Sequence, residues 1–351
     1  MSGTDFSLHY PFGRNVPEPG GYMEIRPGIF WLRIPLPGRL DHINLWLLDA
    51  GESWTLVDTG LSWLEARQAW KRIAADLVRD KPVSRIIVTH FHPDHVGLAG
   101  YLGGKFDAEL AMTRMMAVRT RFLLDAANDD WRETVLAFCR LHGIGPEEQY
   151  LDFITGQRYR AAVSRLPETV TFLDHEQTIT IGENEWQPLV VNGHAEDHMA
   201  LFCPDLELLI SGDQVLPTIT SNVALHVNND EKDALDEYLA SMTRFGQLPE
   251  DTLVLPSHGR VFTGLYKRIA AINHSHDKQL EKVHALCEVP GSAWDLSPKL
   301  FSRPLDDFNR IMAFGETLAH LEYLHNRGKL AKEMRNGTCY YSSSARDLKV
   351  P

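Results

Sequence analysis

The segment Val88-Thr89-His90-Phe91-His92-Pro93-Asp94-His95-Val96-Gly97 constrains this chain more than any other stretch. Three histidines and one aspartate fall within six positions, directly after the apolar run Ile86-Ile87-Val88, which reads as a buried strand. In an extended segment alternate side chains point the same way, so His90 and His92 can reach one point together. Pro93 ends the strand. Beyond that turn, Asp94 and His95 can face a second point. Imidazole and carboxylate are the side chains that bind zinc and similar divalent ions. Taken alone, such a pattern also describes a polar turn rich in histidine, so the rest of the chain decides between the two.

Three later segments repeat the design. Leu189-Val190-Val191 runs into Asn192-Gly193-His194, Leu208-Leu209-Ile210 into Ser211-Gly212-Asp213, and Leu253-Val254-Leu255 into Pro256-Ser257-His258. Each is an apolar strand ending in a tight turn that presents one candidate ligand. A lone His194 or His258 is most simply a hydrogen-bonded structural histidine. Four strand ends delivering His, His, Asp and His point jointly to a metal centre.

The 351 residues suffice for one large domain and a small one, or for two of ordinary size. With 44% hydrophobic and 23% charged residues, the composition is that of a soluble globular protein. No apolar run is long enough to span a bilayer, and the start Met1-Ser2-Gly3-Thr4-Asp5 lacks the pattern of a secretory signal. Cys139, Cys203, Cys287 and Cys339 are far apart and form no CxxC pair, so they read as reduced thiols of a cytoplasmic protein. A formal net charge of −12 argues against nonspecific binding to nucleic acid or an anionic membrane.

Residues 1–22, rich in Pro and Gly, read as an extended arm. Ile43–Leu48 and Trp54–Val57 flank a Gly-containing turn and read as a hairpin. Ser62 is the expected N-cap of a helix over 63–79, in which Leu64, Ala66, Trp70, Ile73, Ala74 and Leu77 recur at helical spacing. Residues 111–166 read as a helical insertion with eight Arg, seven acidic residues and no Lys. Its faces are either solvated and laced with ion pairs, or a lid whose arginines grip an anionic substrate. For the second case Arg158 and Arg160 are the first candidates, because they flank Tyr159, whose ring could cover an apolar part of the ligand. Residues 281–351 carry a net charge of +1, against −13 for 1–280. Helices followed by a hairpin around Asn336-Gly337 suggest a small winged-helix module, with a linker near 275–282.

His90-x-His92-x-Asp94-His95, His194, Asp213 and His258, with Asp58-Thr59-Gly60 as an early strand-end motif, resemble the metallo-β-lactamase fold superfamily. Gly193–Leu201, Ser211-Gly212-Asp213 and the Leu321-x-x-Leu324 helix resemble its β-lactamase-like protein 2 branch, which carries a C-terminal winged helix. The resemblance implies an α+β fold, a four-layer αββα sandwich. A catalytic domain over 1–280, with 111–166 as its inserted lid, would precede a winged-helix-like domain over 281–351.

The resemblance also implies two divalent ions, with zinc expected and iron or manganese open. His90, His92 and His194 would bind the first, Asp94, His95 and His258 the second, and Asp213 would bridge them. Asp58 and His198 would orient liganding imidazoles. A hydroxide bridging the metals would attack the substrate, with Asp94 as the catalytic residue that aims it. The fold's name is poor evidence for β-lactam hydrolysis.

Three functions stay open. The first is a hydrolase of a small, anionic ester or thioester. The second is a single-strand endoribonuclease, which the acidic charge opposes without excluding RNA. The third is a winged-helix regulator with a non-catalytic body. A homodimer is compatible with all three, and a membrane partner with none.

Overall fold

The computed structural model describes residues 6–126, 129–145, 156–175, 177–227, 229, 232–301 and 304–344. The chain divides into two compact units. The first comprises Met1–Asp125, Tyr159–Ser221 and Arg244–Ile269, and the second Ala126–Arg158, Asn222–Thr243 and Ala270–Pro351.

The first unit contains two sheets. One has seven strands in sequence order: β1 (Tyr22–Arg26), β2 (Ile29–Pro35), β3 (His42–Asp49), β4 (Trp54–Val57), β5 (Val83–Ile87), β6 (Glu109–Met112) and β7 (Thr171–Phe172). The pairing is antiparallel from β1 to β4 and parallel from β4 to β7. The other sheet runs β12 (Leu253–Pro256), β11 (Leu208–Gly212), β10 (His198–Cys203), β9 (Asn184–Val191), β8 (Ile179–Ile181), and only β11–β12 is parallel. Strand β3 is buried at every residue but its last, as a strand covered on both faces must be. One continuous apolar core draws Trp31, Leu45, Leu56 and Ile86 from the first sheet and Met199, Leu201, Ile210 and Leu255 from the second. Two sheets sharing a core agree with the expected sandwich.

Helix α1 (Leu64–Leu77) buries Ala66, Ala69, Trp70 and Ile73, one stripe at 3.6-residue spacing. Trp63, not Ser62, occupies the N-cap and supplies no side-chain bond. The Ser62 hydroxyl instead accepts from the Arg67 guanidinium at 3.0 Å, so this cap expectation is corrected. The short helix α2 (Pro93–Val96) is followed by α3 (Ala99–Phe106).

The expected helical stretch 111–166 begins in a strand. Residues 111–112 close strand β6, and among the described residues α4 (Arg114–Asp125), α5 (Asp129–Leu141) and α6 (Gln157–Ala162) follow. Residues 146–155 of the expected lid lie outside the described residues.

Gly97, at the end of α2, sits where the chain crosses itself. A Cβ there would lie 2.6 Å from the Gly60 carbonyl oxygen and 2.8 Å from that of Ala162, both backbone atoms that cannot swing away. Gly97→Ala is expected to cost roughly 3 kcal/mol by overpacking. Urea denaturation checks this, and a loss below about 1 kcal/mol would show that the turn yields.

In the second unit α7 (Ala234–Phe245) contributes its first ten residues and α8 (Leu265–Leu286) its later part. Residues 275–282, where a linker is expected, lie inside α8, so the linker expectation is corrected: the chain is continuous helix there. Helix α9 (Ala293–Leu300) opens on a capping box, with Ser292 and Asp295 satisfying each other's backbone N–H groups. Helix α10 (Asp307–Asn326) is capped by Asp306, which accepts from the Asn309 amide at 2.8 Å.

Strands β13 (Leu330–Arg335) and β14 (Thr338–Ser343) form the expected antiparallel hairpin. Asn336 and Gly337 have φ of 49° and 82°, the paired left-handed residues of a type I′ turn. Phe138 of α5 stacks edge-on against Phe314 of α10, with centroids 6.0 Å apart. Among the described residues no helix is long and apolar enough to cross a membrane.

Candidate metal centre

The centre is assembled at the strand ends of the first unit. Strand β4 ends at Asp58, whose φ of 62° turns the chain and points its carboxylate inward. Asp58 is 2% exposed and accepts three bonds of 2.8 Å, from the Thr89 amide, the Thr89 hydroxyl and His95 Nδ1. Donation from Nδ1 leaves His95 Nε2 bare and facing the centre. The Thr89 hydroxyl lies 3.1 Å from His90 Nδ1 and can accept its proton, which does the same for His90. The His95 carbonyl accepts from the Thr59 hydroxyl at 2.6 Å, fixing the start of α2.

On the second sheet, the Met199 amide donates to the Thr89 carbonyl at 2.7 Å and ties β10 to the ligand loop. His198 is fully buried, and its Nε2 accepts from the Asp213 amide at 3.1 Å. A Cβ on Gly212, where φ is +54°, would lie 2.4 Å from that same nitrogen. Glycine therefore permits the close approach of β11 to His198. His258 donates from Nδ1 to the His42 carbonyl at 2.8 Å, leaving its Nε2 toward the centre. Asn44 pins the same turn, donating to the Pro256 and Gly259 carbonyls at 2.8 and 2.9 Å while Trp31 Nε1 donates to its oxygen at 2.7 Å.

The bare atoms converge. His90 Nε2 is 3.0 Å from His92 Nδ1 and 3.2 Å from His194 Nε2. His258 Nε2 is 3.3 Å from both Asp94 Oδ2 and Asp213 Oδ1, and His95 Nε2 is 3.5 Å from the same two oxygens. Asp213 Oδ2 is 3.6 Å from His194 Nε2, so this one carboxylate touches both groups. Donors bound at 2.0–2.1 Å to a tetrahedral ion stand about 3.3 Å from one another.

Among the described residues, three groups of side chains can hold an ion on this geometry: His90, His92 and His194; His90, His95 and Asp213; and Asp94, His95 and His258. His95 Nε2, His258 Nε2 and Asp213 Oδ1 are buried without a hydrogen-bond partner, a cost that a cation removes. The residues present therefore fit divalent metal.

The electrostatics agree. Burial pushes His90 and His92 well below the usual imidazole range, and neighbouring imidazoles add to this, so both keep the neutral form that coordinates. Burial also opposes charge on His258 and Asp94, but Asp213 and Asp94 outweigh it at His258, placing that imidazole at about 10, and His95 and His258 outweigh both burial and the like charge of Asp213 at Asp94, placing that carboxyl at about 2. Burial likewise works against charge on His95 and Asp213, and opposite charges again win, raising His95 and lowering Asp213. The carboxylates thus draw positive charge into the centre, as protons or as metal.

All seven expected ligands come together here, with Asp58 and His198 bonded to their neighbours. The expected substrate group is different. Tyr159 is 9% exposed and packed in the core, and its hydroxyl donates to the Phe91 carbonyl at 2.8 Å. Its ring supports the ligand segment instead of covering a substrate, which corrects that expectation. Arg158 is exposed and Arg160 half-buried. The supporting roles of Thr89, Asn44, Gly212 and the His42 carbonyl had no signature in residue spacing, because each depends on a partner distant in sequence, respectively Asp58, Pro256, His198 and His258.

Residues 38–258 match the metallo-beta-lactamase superfamily, and residues 280–344 match the C-terminal domain of metallo-beta-lactamase-like proteins. The chain belongs to this superfamily and is one of its hydrolases. It is similar to a beta-lactamase domain protein of Burkholderia ambifaria, at 37% identity over 96% of this chain and 98% of that one, with a TM-score of 0.88. It is also similar to a metallo-beta-lactamase family protein of Thermus thermophilus, at 29% identity over 92% of this chain and 100% of that one, with a TM-score of 0.80. The probable metallo-hydrolase YqjP of Bacillus subtilis (strain 168) is 25% identical over 327 residues, 90% of this chain and 98% of that protein.

Proposed function

We propose that the centre takes two divalent ions and hydrolyses a small ester or thioester bearing an anionic group. The observation that carries this reading is Asp213, one carboxylate within 3.6 Å of His194 on one side and 3.3 Å of His258 on the other. His90, His92 and His194 would hold the first ion, Asp94, His95 and His258 the second, and Asp213 would join them. When bound, such ions lower the pKa of water and polarise an acyl carbonyl.

The chain's own residues supply the rest. His92 and Asp94 are half-buried while His90 and His95 are fully buried, so substrate enters on the His92–Asp94 side. Asp94, 21% exposed on that side, accepts a hydrogen bond from the attacking water and aims it. Asp58 and His198 hold His95 and Asp213 in place. Nitrogen and oxygen donors without Cys suit zinc, iron and manganese alike. We read residues 281–351 as a winged-helix-like module with a structural or partner-binding role, because a net charge of +1 offers DNA little attraction.

Protein purified without chelators is expected to contain close to two transition-metal equivalents. It should hydrolyse acyl esters or thioesters in a panel that also includes phosphodiesters, single-stranded RNA and retardation of duplex DNA. A protein that neither contains nor takes up metal would sink the reading. Cleavage of RNA in preference to every ester would replace it with the nuclease.

A further inference from the structure

We propose that the His42 side chain, in the tautomer that Asp41 selects, positions the ion held by Asp94, His95 and His258. This rests on the two-ion reading above and extends it to residues outside the ligand set. His42 opens β3 and is buried. It accepts twice from the turn that carries the ligand His258. Its carbonyl accepts from His258 Nδ1 at 2.8 Å, and its Nε2 accepts from the Gly259 amide at 3.0 Å. The His42 and His258 rings meet edge to face, with centroids 6.4 Å apart. One residue thus fixes both the His258 ring and the peptide that follows it.

A backbone amide can only donate, so Nε2 of His42 is bare, and the neutral imidazole carries its hydrogen on Nδ1. Two groups compete for Nδ1. Asp41 Oδ1 is bonded to it and as a carboxylate can only accept. Arg33 Nη2, 3.0 Å from it, can only donate. Asp41 therefore favours the hydrogen on Nδ1. Arg33 favours it on Nε2, where it would oppose the Gly259 amide. Arg33 Nη2 also donates to Asp41 Oδ1 at 3.5 Å, so the carboxylate draws the guanidinium away from the ring. Asp41 holds this place with φ of 45°, a left-handed backbone that aspartate tolerates better than most residues.

The turn itself does not need the ring. Asn44 donates to the Pro256, Ser257 and Gly259 carbonyls and keeps it closed. Loss of the His42 bond therefore frees the Gly259 amide and loosens the His258 ring without opening the fold. An ion pair that served only to close the β2–β3 turn would be indifferent to which nitrogen carries the hydrogen.

The test uses the full chain with isotope-labelled histidine. Long-range proton–nitrogen NMR spectra report the tautomer of each imidazole, and His42→Gln identifies the His42 signals by their loss. The wild type should carry hydrogen on Nδ1 of His42, and Asp41→Ala should move it to Nε2. Zinc titration against a competing chelator should give two binding steps in the wild type. Asp41→Ala and His42→Ala should each weaken one step by about tenfold or more and leave the other unchanged. Asp41 is exposed, so its variant keeps the test readable should His42→Ala fail to fold. The amide oxygen in His42→Gln can accept from Gly259 without help from Asp41. That variant should therefore bind zinc better than His42→Ala, and adding Asp41→Ala to it should cost nothing more. An unchanged tautomer in Asp41→Ala, equal weakening of both steps, or a full Asp41→Ala penalty in the His42→Gln background would each overturn the proposal. Two wild-type steps left untouched by every variant would overturn it alone. A wild type that binds one equivalent or none would overturn the two-ion reading and this proposal with it.

Discussion

Asp213→Asn is expected to lower kcat/KM on an ester substrate by three orders of magnitude or more and to reduce bound metal from about two equivalents to about one. Asp213 is the carboxylate reached by both donor groups, through Oδ2 to His194 and through Oδ1 to His95 and His258. The amide keeps the size but removes the charge. It also places an NH2 group against at least one bare imidazole nitrogen, so one of the two ion positions loses its anionic partner. Loss of the paired arrangement removes several kcal/mol of charge stabilisation, which at 1.36 kcal/mol per decade corresponds to about a thousandfold. Thermal denaturation in chelator separates this from misfolding. Without metal, the variant should still unfold cooperatively, at a lower temperature than the wild type, because His95 and His258 lose a buried counter-charge. Full metal content and near-normal turnover in Asp213→Asn would exclude a bridging role.

Asp58→Asn should weaken metal affinity by about 10- to 100-fold without removing any ligand. Asp58 accepts from three donors, and an amide can accept on only one of its two atoms. If its oxygen keeps the Thr89 amide, its NH2 opposes both the Thr89 hydroxyl and His95 Nδ1. His95 then loses the bond that sets its tautomer and ring angle. The fold pays about 1–3 kcal/mol for the unsatisfied groups. Competition with a chromogenic chelator measures the affinity. A positioning role predicts that excess metal restores most of kcat. Wild-type affinity in the variant would show that His95 needs no such support, and a deficit that excess metal leaves untouched would make Asp58 something other than a positioning residue.

The seven donors were legible because each follows an apolar strand at a turn and belongs to a residue type with few other reasons to be there. Asp58 was legible for the same reason. Their supports were not. Asn44 lies within a strand, and its importance comes from carbonyls more than 200 residues away. Thr89 looks like one more polar residue of the ligand turn until its hydroxyl is seen between Asp58 and His90.

The linker expected near 275–282 failed for a different reason. His274-Ser275-His276-Asp277-Lys278-Gln279 has the polarity of a loop, yet Ile272, His276 and Val283 are buried and keep helical spacing through it. Periodicity outweighed composition. Strands β6 and β7 are four and two residues long, too short to interrupt a pattern of helices in the sequence. Tyr159 was misplaced because an aromatic ring between two arginines reads equally as surface or core, and only its bond to Phe91 decides.

The second unit is stitched from three separate stretches of chain, and this sets a schedule for the ribosome. Phe138 leaves the exit tunnel well before Phe314, the ring it stacks on. At 5–20 residues per second, the gap lasts on the order of ten to thirty seconds. Phe138, 5% exposed in the finished protein, passes that interval without its partner ring. The nascent chain therefore carries that ring unpartnered through about half of its own translation, which is the stretch of time in which chaperones have something to hold.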